Sequence, residues 1–383
     1  MAKLWRKRTD APDLEFADKV GADRRIPSLD GIRAFAILCV IWGHGQSTIQ
    51  PWPEFMDVVG YFLPTATFGV QVFFVLSGFL ITSLLIREKS KTGTISLKRF
   101  YISRAFRILP AYYAFLAVVA LLIAFNVIEL PWFMVAASAL FVRDYVPSGG
   151  TWWLGHTWSL SIEEQFYLLW PLIFLFVPRR LLVKLLVIAA VLSPLIRIAT
   201  WVALPPLRSG IEIMFHTRAD GLIIGALLAI LWTHEPFRAG LTARIQQGWG
   251  WLAPAWLVVS IFCGHLIGNP WDFTVGYLFD AIAVAVIMIW VVEYPQTVAG
   301  RVLNWAPLRA LGVISFSVYL WQQLFLTTKN ETILGSWPLN VLVTLVVATA
   351  SYWLVEKTFL RLRGRVLRGR QRKTADTPAV AQA

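Results

Sequence analysis

Residues 27–48 read PSLDGIRAFAILCVIWGHGQST, an apolar run long enough to cross a membrane as a helix. The run carries an arginine, Arg33, and a histidine, His44, separated by ten apolar or small residues. At 3.6 residues per turn, eleven steps return to within about 20° of the starting direction and rise roughly 16 Å, so the two side chains share one face at two depths. Ionisable groups are costly against lipid, which directs that face toward protein or a wet cavity. Chemistry is therefore sought along it.

The rest of the chain fits a membrane setting. Its 383 residues are 57% hydrophobic and 15% charged, with 19 tryptophans, and the mean hydropathy is +0.62. Apolar runs recur from residue 32 to 355 and leave no room for an independent soluble domain. The sequence thus predicts an all-α fold: a polytopic integral membrane helix bundle of about ten spans, with a short interfacial or re-entrant helix at 131–142. The expected organisation is an N-terminal cytoplasmic tail over 1–25, a transmembrane domain over 26–360 and a basic, disordered cytoplasmic tail over 361–383. The N-terminus lacks the apolar core and small-residue cleavage site of a signal peptide. Cys39 and Cys263 both sit in apolar runs and suggest neither a disulfide framework nor a thiolate metal site.

The spans are expected near 31–48, 66–86, 109–128, 160–177, 182–203, 219–233, 249–267, 275–294, 310–327 and 337–355. With the N-terminus inside, 29 of the 35 Lys and Arg residues fall on inner segments, four on outer ones and two within spans. That asymmetry, more than any attraction to nucleic acid, accounts for the formal charge of +13. It places both termini in the cytoplasm and the loops 143–159 and 203–218 outside.

Three groups of residues carry candidate chemistry, and each has a plainer structural alternative. Arg33 and His44 could hold the two ends of a long donor that is anionic on the inner side, or snorkel and hydrogen-bond to neighbouring helices. Arg104 and Arg107, three apart and so neighbours on one helical face, suit phosphate recognition through bidentate donation, or else anchor the inner rim. Glu163 lies about one turn inside the outer end of its span, with Ser159 one turn earlier and His156 just before it. A carboxylate there can accept a proton or orient a hydroxyl or an imidazole, or it can complement a helix N-terminus. Arg197 and Asp220 either line the same cavity or pair structurally.

These motifs, LDGIRAFAILCVIWGH at 29–44, FFVLSGFLIT at 73–82, SRAFRILPAYY at 103–113, HTWSLSIEEQFYLLWP at 156–171, ISFSVYLWQQLF at 314–325 and SYWLVEKTFLR at 351–361, resemble in order and spacing the acyltransferase-3 family of polytopic membrane enzymes. Members O-acylate surface polysaccharides, lipids and small molecules, in the manner of O-antigen and exopolysaccharide O-acetyltransferases. The resemblance implies that Arg33 and His44 are the family's basic residue and histidine ten positions apart, that Arg104 and Arg107 are its paired arginines, and that Glu163 and Asp30 match its acidic positions. It also implies an acyl-CoA donor, acetyl-CoA by expectation, and an outer acceptor. Where the family often reads YLWH, this chain has Gln322 after Tyr319, Leu320 and Trp321. The soluble hydrolase-like domain that some members carry after the membrane part is expected to be lacking, which leaves acceptor recognition to outer loops and span ends.

The resulting expectation is a membrane O-acetyltransferase acting on a cell-surface carbohydrate or glycolipid. His44 is the base or a nucleophile and Glu163 its catalytic companion. Arg33, Arg104 and Arg107 bind the donor, while Asp30, Ser159 and His156 bind the acceptor. Transfer between thioester and hydroxyl calls for no metal ion and no permanently bound cofactor. The rival from another class is a transporter or flippase, since spans with buried charges also describe a proton-coupled carrier. Orientation is directly testable: a cysteine introduced at position 148 should react with an impermeant thiol reagent from outside and one at 375 should not. The opposite pattern would overturn the assignment of sides.

Overall fold

The protein is seen here as a computed structural model that describes residues 26–146 and 152–375. The expected tail at 1–25, the middle of the loop 143–159 and residues 376–383 lie outside the described residues. Every regular element among those described is helical. The principal helices are α1 (Pro27–Gly45), α2 (Ala66–Thr92), α3 (Leu97–Ala124), α4 (Trp132–Ala139), α5 (Thr157–Phe176), α6 (Arg179–Ala203) and α7 (Asp220–Trp232). They continue with α8 (Glu235–Gln246), α9 (Leu252–Ile267), α10 (Tyr277–Glu293), α11 (Ala306–Trp321), α12 (Leu339–Ser351) and α13 (Lys357–Ala375).

Six stretches are long and apolar enough to cross a membrane, or seven if α7 and α8, bent by 107° at their junction, are counted as one. The expected ten is not reproduced, and the shortfall has a physical reason. The three expected spans outside the count are α1, α5 and α11. α1 carries Asp30, Arg33 and His44 in 19 residues, and α5 carries Glu163, Glu164 and Gln165 in 20. α11 is only 16 residues long and includes Arg309. In α1 and α5 the polar residues must be covered by neighbours, whereas Arg309 near the start of α11 is exposed. α4, with eight residues, rises about 12 Å and is too short to cross, as expected for 131–142. Within the tail expected over 361–383, the described residues to Ala375 belong to α13.

Local chemistry sets several of the boundaries. The side chain of Thr65 accepts from the backbone N–H of Phe68 to cap α2, which ends at Gly93 in the left-handed region with φ of 76°. Ser96 caps α3 in the same way through Arg99 N–H. Pro110 and Pro171 lie inside α3 and α5, as membrane helices tolerate when neighbours satisfy the freed carbonyls.

Contacts between helices fix their relative directions. Tyr101 OH donates to the carbonyl of Leu168, Arg104 lies over the Tyr167 ring, and Phe115 meets the His156 ring edge-on, so α3 and α5 run antiparallel. α1 and α11 run parallel: Gly312 abuts the backbone of Asp30 near one end, and His44 meets Gln322 near the other. Another close crossing is between α2 and α7. A Cβ on Gly78 would fall 2.1 Å from the carbonyl oxygen of Leu222, and one on Gly225 would fall 2.1 Å from that of Val75. Small residues let these backbones touch, as is common between membrane helices.

Gly78→Ala and Gly225→Ala should each destabilise the protein by about 1–3 kcal/mol through overpacking, read as a lower Tm in detergent. Gly240→Ala, in α8 with nothing within 4 Å of the added methyl, should be neutral or slightly stabilising. Equal melting temperatures for all three variants would show that the α2–α7 backbones are not in contact.

Candidate active site

α1, α2, α3, α5 and α11 enclose one cavity whose empty volume, counting its open mouth, is about 790 Å³. Its walls bring together Arg33 from α1, Ser77 from α2, Arg104 and Arg107 from α3, Glu163 and Ser159 from α5, and Tyr319 from α11. Three guanidiniums face one carboxylate, so the cavity has an excess of positive charge inside an apolar bundle. Such a site favours a polyanion, and arginine keeps its charge even where water is scarce.

Arg33, Glu163 and Arg104 are each held by specific partners. Arg33 Nη1 donates to Asp30 Oδ1 at 3.0 Å, one turn back on α1. Asp30 is buried and does not line the cavity, so the structure gives its carboxylate to Arg33. Glu163 Oε1 accepts from Ser77 Oγ at 2.8 Å, and Tyr167 OH lies 3.5 Å from Oε2. The guanidinium of Arg104 lies 5.8 Å from the centre of the Tyr167 ring, which ties the arginine and the glutamate to one aromatic surface.

At the other end of the cavity Ser159 Oγ and Tyr319 OH are 2.5 Å apart, and both reach the carbonyl oxygen of His156, at 3.1 and 3.0 Å. Two hydroxyl protons serve one carbonyl and one mutual bond, so either hydroxyl can donate to the other. His156 itself is buried behind this pair and outside the cavity wall. Its Nδ1 is 2.6 Å from Gln323 Oε1.

His44 is half-buried and also outside the wall. Its Nδ1 is 2.8 Å from Gln322 Oε1, and Trp152 packs edge-on against its ring with centroids 5.1 Å apart. Gln322 follows Tyr319 by three residues, so His44 lies about one turn, roughly 5 Å, beyond the Ser159–Tyr319 end of the cavity. Of the residues singled out from sequence, the cavity unites Arg33, Arg104, Arg107, Glu163 and Ser159, while His44 and His156 form a layer just past it. Arg197 and Asp220 are elsewhere: fully buried, they form an ion pair at 2.9 Å that is extended by Ser193 and the Thr217 carbonyl.

Sequence reasoning missed Ser77, Tyr167, Tyr319, Trp152 and Gln323. Tyr167 had a usable signal, since it follows Glu163 by four positions and so shares its helical face. Ser159 and Tyr319, 160 residues apart, had none. The described part of the loop 143–159 is partly buried. Asp144 is buried, and burial pushes its carboxyl up to about 6 although Gln165 donates to it at 2.9 Å.

Fold and site together define an integral membrane protein built around a buried cationic cavity. The chain belongs to the acyltransferase-3 family, whose acyltransferase domain matches residues 26–356. It is 28% identical over 389 residues to the O-acetyltransferase OatA of Staphylococcus aureus, covering 93% of this chain and 60% of that protein. It is 30% identical over 369 residues to the peptidoglycan O-acetyltransferase OatA of Listeria monocytogenes, covering 86% of this chain and 55% of the relative. The chain thus spans little more than half the length of the curated relatives it matches. No solved structure matches it.

Proposed function

We propose that this acyltransferase moves an acetyl group from a cytoplasmic coenzyme A thioester to a hydroxyl of a cell-surface carbohydrate or glycolipid. The observation that carries the reading is the cavity in which Arg33, Arg104 and Arg107 gather at some depth from His44. Phosphates of the donor would be held by the three guanidiniums, and its acyl end would extend past Glu163 toward the Ser159–Tyr319 end. The acceptor would enter from the His44 side. The name of the Listeria relative suggests peptidoglycan as one such acceptor.

In this reading His44 takes the proton of the acceptor hydroxyl while the new C–O bond forms at the thioester carbon. The C–S bond then breaks, and the proton returns to the leaving thiolate. Glu163 has no hydrogen bond to His44. Held by Ser77 and the Tyr167 edge, it would position the donor as the chain threads past. The transporter alternative gains no support from the acyltransferase relatives.

Arg104→Ala and Arg107→Ala should weaken donor binding, with a raised KM and a smaller loss of kcat, because phosphate contacts act mainly as uniform binding. Lysine should rescue only partly, since a point charge lacks the bidentate fork. Unchanged donor affinity in both alanine variants would return these arginines to inner-rim anchors. His44→Gln keeps a hydrogen-bonding side chain but no base, and should lose about two to four orders of magnitude in acetyl transfer with donor binding largely kept. Near-normal transfer by the folded variant would remove His44 from the chemistry.

A further inference from the structure

The short turn Gln322–Leu324 that closes α11 presents two consecutive glutamines to two histidines from distant parts of the chain. Gln323 Oε1 lies 3.1 Å from the backbone nitrogen of His156 and 2.6 Å from its Nδ1. A backbone N–H is always a donor, so the amide end facing it is the oxygen. The same oxygen can only accept from Nδ1, which therefore carries the imidazole proton. His156 Nε2, which this leaves unprotonated, is buried without a hydrogen-bond partner among the described residues.

Gln322 turns the same amide oxygen toward His44, here with no backbone N–H beside it, and its Nε2 is buried without a hydrogen-bond partner among the described residues. Its Oε1 faces His44 Nδ1 at 2.8 Å, and the residue is fully buried, so solvent does not compete for the contact. The other side of the His44 ring is set by Trp152, whose Nε1–H donates to the Gln323 carbonyl oxygen at 2.8 Å. One turn of backbone thus determines both the hydrogen bond and the packing of the His44 imidazole.

We propose that Gln322 is a positioning residue that holds His44 as the Nδ1–H tautomer and leaves Nε2 as the lone pair that receives the hydroxyl proton, while Gln323 locks His156 and the Trp152 wall. The inference rests on His44 acting as the base. When the acceptor O–H gives its proton to Nε2, the imidazolium keeps its Nδ1–H on the Gln322 oxygen. The proton leaves again to the coenzyme thiolate as the C–S bond breaks, so the ring ends as it began. An amide oxygen fixes the tautomer without adding negative charge. A carboxylate at this position would also fix it, but would stabilise the imidazolium and hold back the proton.

The test uses the full-length protein in lipid nanodiscs with 15N-labelled histidine, with the His44 signals assigned by their loss in His44→Gln. In the neutral ring, Nδ1 should be protonated and Nε2 bare. Gln322→Leu should scramble the tautomer and lower kcat/KM about ten- to a hundredfold, the size expected when an outer partner that orients a histidine is lost. Gln322→Glu should keep the tautomer and move the acid limb of the kcat/KM profile to higher pH, because a more basic His44 stays protonated further up the scale. A wild-type His44 with its proton on Nε2 would overturn the proposal, and that spectrum requires no Gln322 variant to fold. So would a tautomer and an acid limb that both ignore Gln322. Retained transfer in His44→Gln alongside an intact Nδ1–H signal would instead overturn the base on which the proposal rests.

Discussion

The structure depends on one constraint: a helix that carries charge into a membrane must be wrapped by other helices. α1 shows how this is met. Phe35 and Leu38 on its outer side are 43% and 42% exposed and suit lipid, while Arg33 and Asp30 turn inward and satisfy each other. The three helices outside the membrane-crossing count, α1, α5 and α11, supply Arg33, Glu163 and Tyr319 to the cavity, while α3 adds Arg104 and Arg107 and α2 adds Ser77. The Arg197–Asp220 pair meets the same constraint away from the cavity by stacking further hydrogen bonds on a fully buried ion pair.

Close backbone approach decides how narrow that enclosure is. Gly78 and Gly225 let α2 and α7 touch, and Gly312 lets α11 press on the backbone of Asp30, so the cavity lies between helices held at fixed separation. Because α1 and α11 run parallel while α5 opposes α3, the polar groups fall into levels. Arg33, Arg104 and Arg107 gather in the cavity with Glu163, Ser159 and Tyr319 mark its far end, and the two histidines with their glutamines come last. A substrate that reached from the arginines to His44 would cross every level in turn, which is the geometry a long thioester donor and a separate acceptor require.

On the proposal made for Gln322, the glutamine turn would hold His44 in a defined state where the resemblance leads one to expect a histidine after Tyr319, Leu320 and Trp321. A side-chain amide orients an imidazole as well as another ring does, and its neutrality leaves the ring free to gain and lose a proton. Gln322 and His44 are 278 residues apart, and only the parallel seating of α11 on α1 makes them partners.

The sequence by itself determined the all-helical membrane architecture, because apolar run length and the exclusion of unpaired backbone from lipid leave few alternatives. It also determined which residues of α1, α3 and α5 would be drawn inward, since a charge on one face of an apolar helix has few places to go. Helical periodicity further placed Arg104 with Arg107 and Ser159 with Glu163. Relations between helices were beyond it. Periodicity says which face is polar, but it carries no information on which helix that face meets or at what height. The assignment of Asp30 to Arg33, the separation of Arg197 and Asp220 from the cavity, the Ser77 support of Glu163 and the retreat of His44 behind Gln322 were therefore decided by tertiary packing.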